Sequence, residues 1–275
     1  MISIITAVYN QLPMNRIYLD SLRNSTEGEW ELIVIDNGST DGSAEFFESA
    51  PGNIRVIRNN GNYSYPYCQN QGIKVAQGDV LAFLNNDILL SKGWDKRIGM
   101  ILGKDGYEFL TLSSNDYMLN RHEAKIINRR FKWVKYPLLK LRGATRDSLK
   151  LMKVLTYGNF DRFCEKIWKR DGLKTKPGFS GSAVIISRRG LEIMGEWDPT
   201  QQGADYDLFF RTVERSRTVG DIKPLSVVGG IYHHHYSRLT FRHKFPPFVD
   251  RDNIRLVEDK WDKDKINAYT ALMRE

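Results

Sequence analysis

Cysteine is scarce in this chain, with only Cys68 and Cys164 among 275 residues. Two thiols so far apart give neither a disulfide framework nor a zinc-finger spacing. A reducing, cytoplasmic setting is therefore the expectation. Long apolar runs are missing too, and nothing approaches the roughly 20 consecutive apolar residues of a membrane-spanning helix. The opening MISIITAVYN has no basic leader and meets Asn10 and Gln11 too early for a signal peptide. Internal repeats and low-complexity linkers are also absent. What is present suits a folded α/β chain: 41% apolar residues can build a core, and 27% charged residues are ordinary for a soluble protein.

Acidic residues are rare in one stretch. Between Arg121 and Lys176 there are 17 Lys+Arg against 5 Asp+Glu, while the remainder holds 24 against 28. One segment therefore carries all of the net +8, which points to an anionic partner. Phe131, Trp133, Tyr136, Phe160, Phe163 and Trp168 interleave with these charges, and helices and loops are expected there. Such aromatics can stack on bases or sugars, or lie in a membrane interface beside anionic headgroups. The plainer alternative is a solvated basic face over a small core of its own.

Along the first third, strand-like and helix-like patterns alternate. Ile2–Val8, Glu31–Ile35, Ile54–Ile57 and Val80–Leu84 read as strands. Pro13 starts a helix through Ile17, Leu19 and Leu22, and a second helix runs through Ile73, Val75 and Ala76 to Gly78. This alternation predicts a mostly parallel sheet with helices on both faces. Ligands in such sheets sit beyond the carboxyl ends of the strands. Three polar clusters fall there: Tyr9-Asn10, Asp36–Ser39 and Asn85-Asn86-Asp87, the last ending the core run VLAFL. An Asx-type turn explains any one of them, but three facing one crevice suggest a site. Further on, Trp94–Leu102, Arg188–Met194 and Asp205–Ser216 read as helices. Phe109–Leu112, FSGSAVIIS and LSVVGGIYHHH read as strands. Ile254, Val257, Trp261 and Ile266 predict one amphipathic helix within Asp250–Leu272.

The segments SIITAVYN, ELIVIDNGSTDGS, NQGIKVAQGDVLAFLNND and GADYDLFFR, in that order, resemble the family-two glycosyltransferases of GT-A fold. The likeness covers residues 1–100 closely and 178–240 more loosely. It implies a GT-A-like, Rossmann-type sheet, a nucleotide-sugar donor (UDP or dTDP) and a divalent Mn²⁺ or Mg²⁺ ion. Asp36 and Asn37 fall at the positions that hold the base, with Tyr9 beside it, although many relatives have Asp where Asn37 stands. Asp87 matches the metal ligand of the Asp-x-Asp motif. Asn85 replaces that motif's first Asp and, with Asn86, is assigned to donor binding. Ser64 stands where relatives carry an Arg, and Asn70 matches an Asn that braces the loop. Asp205 matches the catalytic base, with Ala204 in place of the usual Glu. Its position at a helix N-terminus favours the ionised form. A family His that completes the metal site matches His234 by its spacing to Ser237. Strand parity instead puts His233 and His235 together on one face.

The expected organisation is a nucleotide-sugar-binding half (1–120), a basic acceptor-side insertion (121–176), an acceptor and catalytic half (177–245) and a helical tail (246–275). The expected reaction is metal-dependent, inverting sugar transfer to an acceptor hydroxyl. The acceptor is an anionic polymer, either modified DNA or a lipid-linked glycan or polysaccharide, with the protein cytoplasmic or peripheral at a membrane surface. Nucleotidyl transfer on a similar fold, or a non-catalytic nucleotide- or nucleic-acid-binding relative, are the rival readings; Asn85 and Ala204 favour the second.

Overall fold

A computed structural model describes residues 1–237, 239 and 246–274. His243 and the end of the 177–245 segment lie outside the described residues. The first half runs β1 (Ile2–Val8), α1 (Leu12–Ser25), β2 (Trp30–Asp36), α2 (Ser43–Glu48), β3 (Ile54–Arg58), α3 (Tyr65–Ile73), β4 (Val80–Leu84), β5 (Ile88–Leu90), α4 (Trp94–Ile98) and β6 (Phe109–Ser114). The second continues α5 (Arg121–Arg142), α6 (Arg146–Tyr157), α7 (Phe160–Asp171), β7 (Thr175–Pro177), β8 (Ala183–Ser187), α8 (Arg188–Met194), α9 (Ala204–Thr218), β9 (Ser226–His235) and α10 (Lys263–Leu272).

The nine strands of the described residues form one sheet in the order β3-β2-β1-β4-β8-β6-β9-β5, with β7 added on β9. The β1 to β4 half is parallel, as expected. Beyond it the sheet is mixed, because β8 enters antiparallel between β4 and β6 and so joins the two halves of the chain. β5 and β7 are also antiparallel to β9, while β6 and β9 are parallel.

The strand sequences are apolar because both faces are covered. Along β4, Leu81 and Phe83 enter one core while Ala82 and Leu84 enter the other. Along β1, Ile4 and Ile5 divide in the same way. One core lies under α1 and the helices α5 to α7; the other lies under α3, α9 and the C-terminal tail.

Three expected helices are shorter in the structure. α3 ends at Ile73, so Val75 and Ala76 lie in the turn leading to Gly78. α4 ends at Ile98, before Gly99, and the following turns reach Leu102 without helical form. The tail is not one helix: 3₁₀ turns at Arg251–Asn253 and Val257–Asp259 precede α10. Asp262 starts α10 by accepting the Lys265 amide at 2.9 Å, so the helix begins at its cap and not at the first apolar residue.

The tail is fastened through Asp207, which is 1% exposed. Its Oδ2 accepts from Arg211 Nε at 2.9 Å, an i,i+4 pair, and its Oδ1 accepts from Trp261 Nε1 at 2.9 Å and faces Lys260 Nζ at 2.7 Å. Replacing this carboxylate leaves the Trp261 indole N–H without its partner, while Lys260 keeps Asp198 and Arg211 keeps the Met194 and Glu196 carbonyls. We therefore expect Asp207→Ala to lower unfolding stability by about 1–3 kcal/mol, the range for leaving a buried polar group unsatisfied. Denaturant titration, with proteolysis of residues 246–274 as a second readout, checks this.

Candidate active site

The three polar strand ends lie where the sheet's parallel half puts them, and each is held by hydrogen bonds. Asn10 and Gln11 both adopt left-handed backbone conformations (φ 57° and 71°), a cost for non-glycine residues that tends to persist at functional sites. Asn10 meets it by donating its amide to Ser39 Oγ at 2.7 Å and accepting the Thr40 amide on Oδ1 at 2.8 Å. The β1 and β2 loops are thereby tied together.

Asp36 accepts the Gly38 and Ser39 amides on Oδ2, at 3.2 and 3.1 Å. Its Oδ1 is buried and has no partner among the described residues. Next to it opens a cavity of about 400 Å³ lined by Ala7, Tyr9, Asn37, Tyr63, Tyr65 and Phe248, among others. Asn37 borders this cavity, but its amide is occupied: Nδ2 donates to Tyr63 O at 2.9 Å, and Oδ1 accepts from Asn59 at 2.9 Å and Cys68 Sγ at 3.2 Å. Ser64 is likewise engaged, its amide and hydroxyl both bound to Asp250 at 3.0 and 2.5 Å. Both side chains thus already serve to hold the loops around this cavity. Asn70 ties α3 to the Trp197 backbone, exchanging two hydrogen bonds with it at 2.8 and 3.1 Å.

A second cavity, about 450 Å³, shares Tyr65 with the first and includes Asn85, Asp116, Gly181, Asp205 and His235 in its wall. Here Asn85 and Asn86 part company. Asn85 lines the cavity, whereas Asn86 donates to the buried Asn15 at 2.7 Å and ties the end of β4 to α1. Asp87 places Oδ1 3.2 Å from His235 Nε2, and Asp116 Oδ2 lies 2.7 Å from His235 Nδ1.

His234 does not meet Asp87. On β9 it points to the opposite face, against the Phe131 ring at 4.6 Å, with Nδ1 2.8 Å from Tyr157 Oη. Strand parity is the reason: 233 and 235 share the cavity face, and 234 belongs to the core under α5 to α7. His233 is 2.7 Å from Ser182 Oγ. Burial, helped by the charge on His235, lowers the His233 pKa to about 3 and keeps it neutral. Burial would lower His235 as well, but the Asp87 charge and hydrogen bonds to Asp116 and Asp87 outweigh it and raise its pKa to about 10. Burial pushes Asp116 up, yet the His235 contact leaves it below the usual carboxylate range.

Among the described residues, no three His, Cys, Asp or Glu side chains form a ready metal cage. Asp87 and His235 fit a hard cation of another kind, one that takes few protein ligands and completes its shell with substrate oxygens. The His235 proton must leave for that imidazole to ligate.

Asp205 sits at the start of α9 and is half-buried, but its Oδ1 reaches neither solvent nor a partner among the described residues. Burial raises its pKa to about 7. The helix N-terminus does not keep it in the ordinary range, because desolvation is the larger effect here. Gly181 packs so closely that a Cβ there would overlap the Asp205 carboxylate. Sequence reasoning missed Tyr65, Asp116 and Gly181. Of these only Gly181, inside the FSGSAVIIS strand pattern, carried a signal, since an isolated strand glycine often marks close approach.

The mixed α/β sheet with helices on both faces is that of a GT-A-like fold. A family model, Glycosyl transferase family 2, matches residues 3–158, more than half of the chain, and the protein belongs to that family. The match continues through α5 and α6, so much of the basic segment lies inside it. EpsH of Bacillus subtilis is 35% identical over 89 residues, 31% of this chain and 26% of its own length. The mannosyltransferase PcManGT from Pyrobaculum calidifontis, solved with GDP-Man and Mn²⁺, superposes with TM-score 0.52 at 16% identity, covering 83% of this chain and 56% of its own. GalNAc-T7, solved with UDP, GalNAc and Mn²⁺, gives 0.60 at 13%, covering 100% and 48%. This chain thus spans about a quarter of EpsH and about half of each solved neighbour.

Because Gly181 leaves room for Asp205, Gly181→Ala should displace that carboxylate. Any transfer that uses this carboxylate should then fall by about 100-fold, the scale of a misplaced group, with the melting curve little changed. Transfer and thermal denaturation measured on one preparation test this.

Proposed function

We propose that the protein transfers a sugar from a UDP- or dTDP-sugar to an acceptor hydroxyl by single displacement with inversion. The observation that carries this reading is the unpartnered Asp205 carboxylate in a cavity that meets the donor-side cavity at Tyr65. Asp36 Oδ1 offers a buried acceptor for the N–H of uracil or thymine. Asp205 takes the proton of the acceptor hydroxyl, whose oxygen bonds to the anomeric carbon as the bond to the diphosphate breaks. A nucleoside diphosphate leaves. Asp87 and His235 would hold Mn²⁺ or Mg²⁺, whose chemistry is to stabilise the charge growing on the diphosphate. The Mn²⁺ in both solved neighbours supports this. Tyr117, Phe179 and Tyr206 give the second cavity aromatic walls suited to a sugar face.

Product analysis with UDP- and dTDP-sugars, with Mn²⁺ present or chelated, tests the reading. Release of pyrophosphate in place of a nucleoside diphosphate would assign nucleotidyl transfer instead. Asp87→Ala should abolish Mn²⁺-dependent donor binding in calorimetry while the fold survives. Unchanged metal-dependent affinity would remove Asp87 from the site.

A base must be ionised to accept a proton, so transfer should rise with pH through about 7, the raised Asp205 value. Asp205→Asn should lower transfer by about 100-fold or more, remove that pH limb and keep donor affinity. Rates like those of the wild type, with the limb intact, would exclude Asp205.

A further inference from the structure

The basic segment has a buried side and an outward side that differ in chemistry. Ala124, Phe131 and Lys135 turn α5 inward, and Lys135 donates to Ser237 O at 3.0 Å. Outward, Trp133 is 78% exposed, Leu141 80% and Tyr136 54%. Six of the fourteen exposed large apolar side chains of the described residues lie on α5 and α6. α5 itself carries eight Lys and Arg against one acid, Glu123, which Arg170 of α7 already pairs. Arg129 and Arg130 lie one turn before Trp133, and Tyr136 and Lys140 one and two turns after it, so cations and apolar groups share one face. Arg129, Lys132, Lys140 and Arg142 have no acidic partner among the described residues. Arg130 Nε donates to Leu155 O at 3.1 Å, which joins the exposed Leu155 of α6 to the same surface.

We propose that this outer face of α5 and α6 docks on the surface of an anionic lipid bilayer. Unpaired Lys and Arg complement anionic headgroups, while Trp and Tyr favour the interface and aliphatic side chains enter the acyl boundary. Exposed Leu141, Val154 and Leu155 decide against nucleic acid, because a phosphate backbone offers aliphatic groups no partner and stacking uses aromatic rings alone. No helix of the described residues is long and apolar enough to cross a membrane, and the docking proposed is at the interface. α5 also begins beside the second cavity, where Arg121 and Tyr117 both donate to Met273 O. On the proposed sugar transfer, on which this last step rests, a docked α5 brings that cavity to a lipid-borne hydroxyl.

Sedimentation of the full chain with phosphatidylcholine vesicles, with and without phosphatidylglycerol, tests the docking whether or not sugar is transferred. Binding to the anionic vesicles is expected, weakening with salt. Trp133→Ser with Leu141→Ser should lower it by about tenfold or more, since each is a large apolar group returned to water. Arg129→Glu, Lys132→Glu and Lys140→Glu together should abolish it. All five side chains are on the surface, so circular dichroism should not change. Failure to bind anionic vesicles at low salt, or equal binding by the serine pair, overturns the proposal. Tighter, salt-sensitive binding to duplex DNA that ignores the serine pair would also overturn it and assign a nucleic-acid face.

Discussion

A sheet covered on both faces leaves its polar side chains few places to go. Within the strands every second residue enters one core and the rest enter the other, so an ionisable group there must be partnered or neutral. The ends of the strands escape this rule. That is why VLAFL can be followed at once by Asn85, Asn86 and Asp87. It is also why β1 ends in the strained Asn10-Gln11 pair and β2 in Asp36. The site is the set of polar groups that the two-sided core expels to one edge. β9 shows the rule inside a strand: His233 and His234 are both buried and stay neutral, while His235, at the strand's end, meets two carboxylates and stays charged.

This constraint also explains what could be read from the sequence. The parallel β1 to β4 half was legible because buried strands write themselves as short apolar runs between turn signals. β5, three residues long and directly after Asp87, has no periodicity of its own, and its pairing with β9 spans most of the chain. The antiparallel insertion of β8 between β4 and β6 is likewise a long-range pairing without a local signature. Among the histidines, parity and the family spacing gave different answers, and parity agrees with the geometry because the period of two is enforced by the cores. Asn37 and Ser64 bear the right polar groups, but their engagement by Cys68, Tyr63 and Asp250 depends on tertiary contacts, one of them 186 residues away in sequence.

Asp205 and Asp207 show how closely the two roles can be spaced. Two residues apart, they stand about 200° apart around α9 at 3.6 residues per turn. Asp207 meets Arg211, Lys260 and Trp261; Asp205 meets none of them. The unpartnered carboxylate costs stability. Its folded-state pKa is raised, so its favourable contribution is full at pH below the ordinary carboxylate value and is lost as pH rises through about 7. The burial that suits Asp205 to the proposed role of base near neutrality is thus the one that makes it a burden to the fold, as is common where function and stability compete.

The C-terminal tail sets where that burden is carried. Its first described residues wall the cavity beside Asn37, with Val249 N donating to Asn62 O at 2.8 Å and Asp250 holding Ser64. Its middle clamps α9 through Lys260 and Trp261 on Asp207, two residues from Asp205. Its end returns to the second cavity, where Met273 accepts from Tyr117 Oη at 3.1 Å. A segment that contributes one short α-helix therefore touches both cavities and α9. Because Asp207 is satisfied by the tail, α9 can present Asp205 without a partner and still be held in place. The strain of the site is offset two residues away, by a carboxylate with a full set of donors.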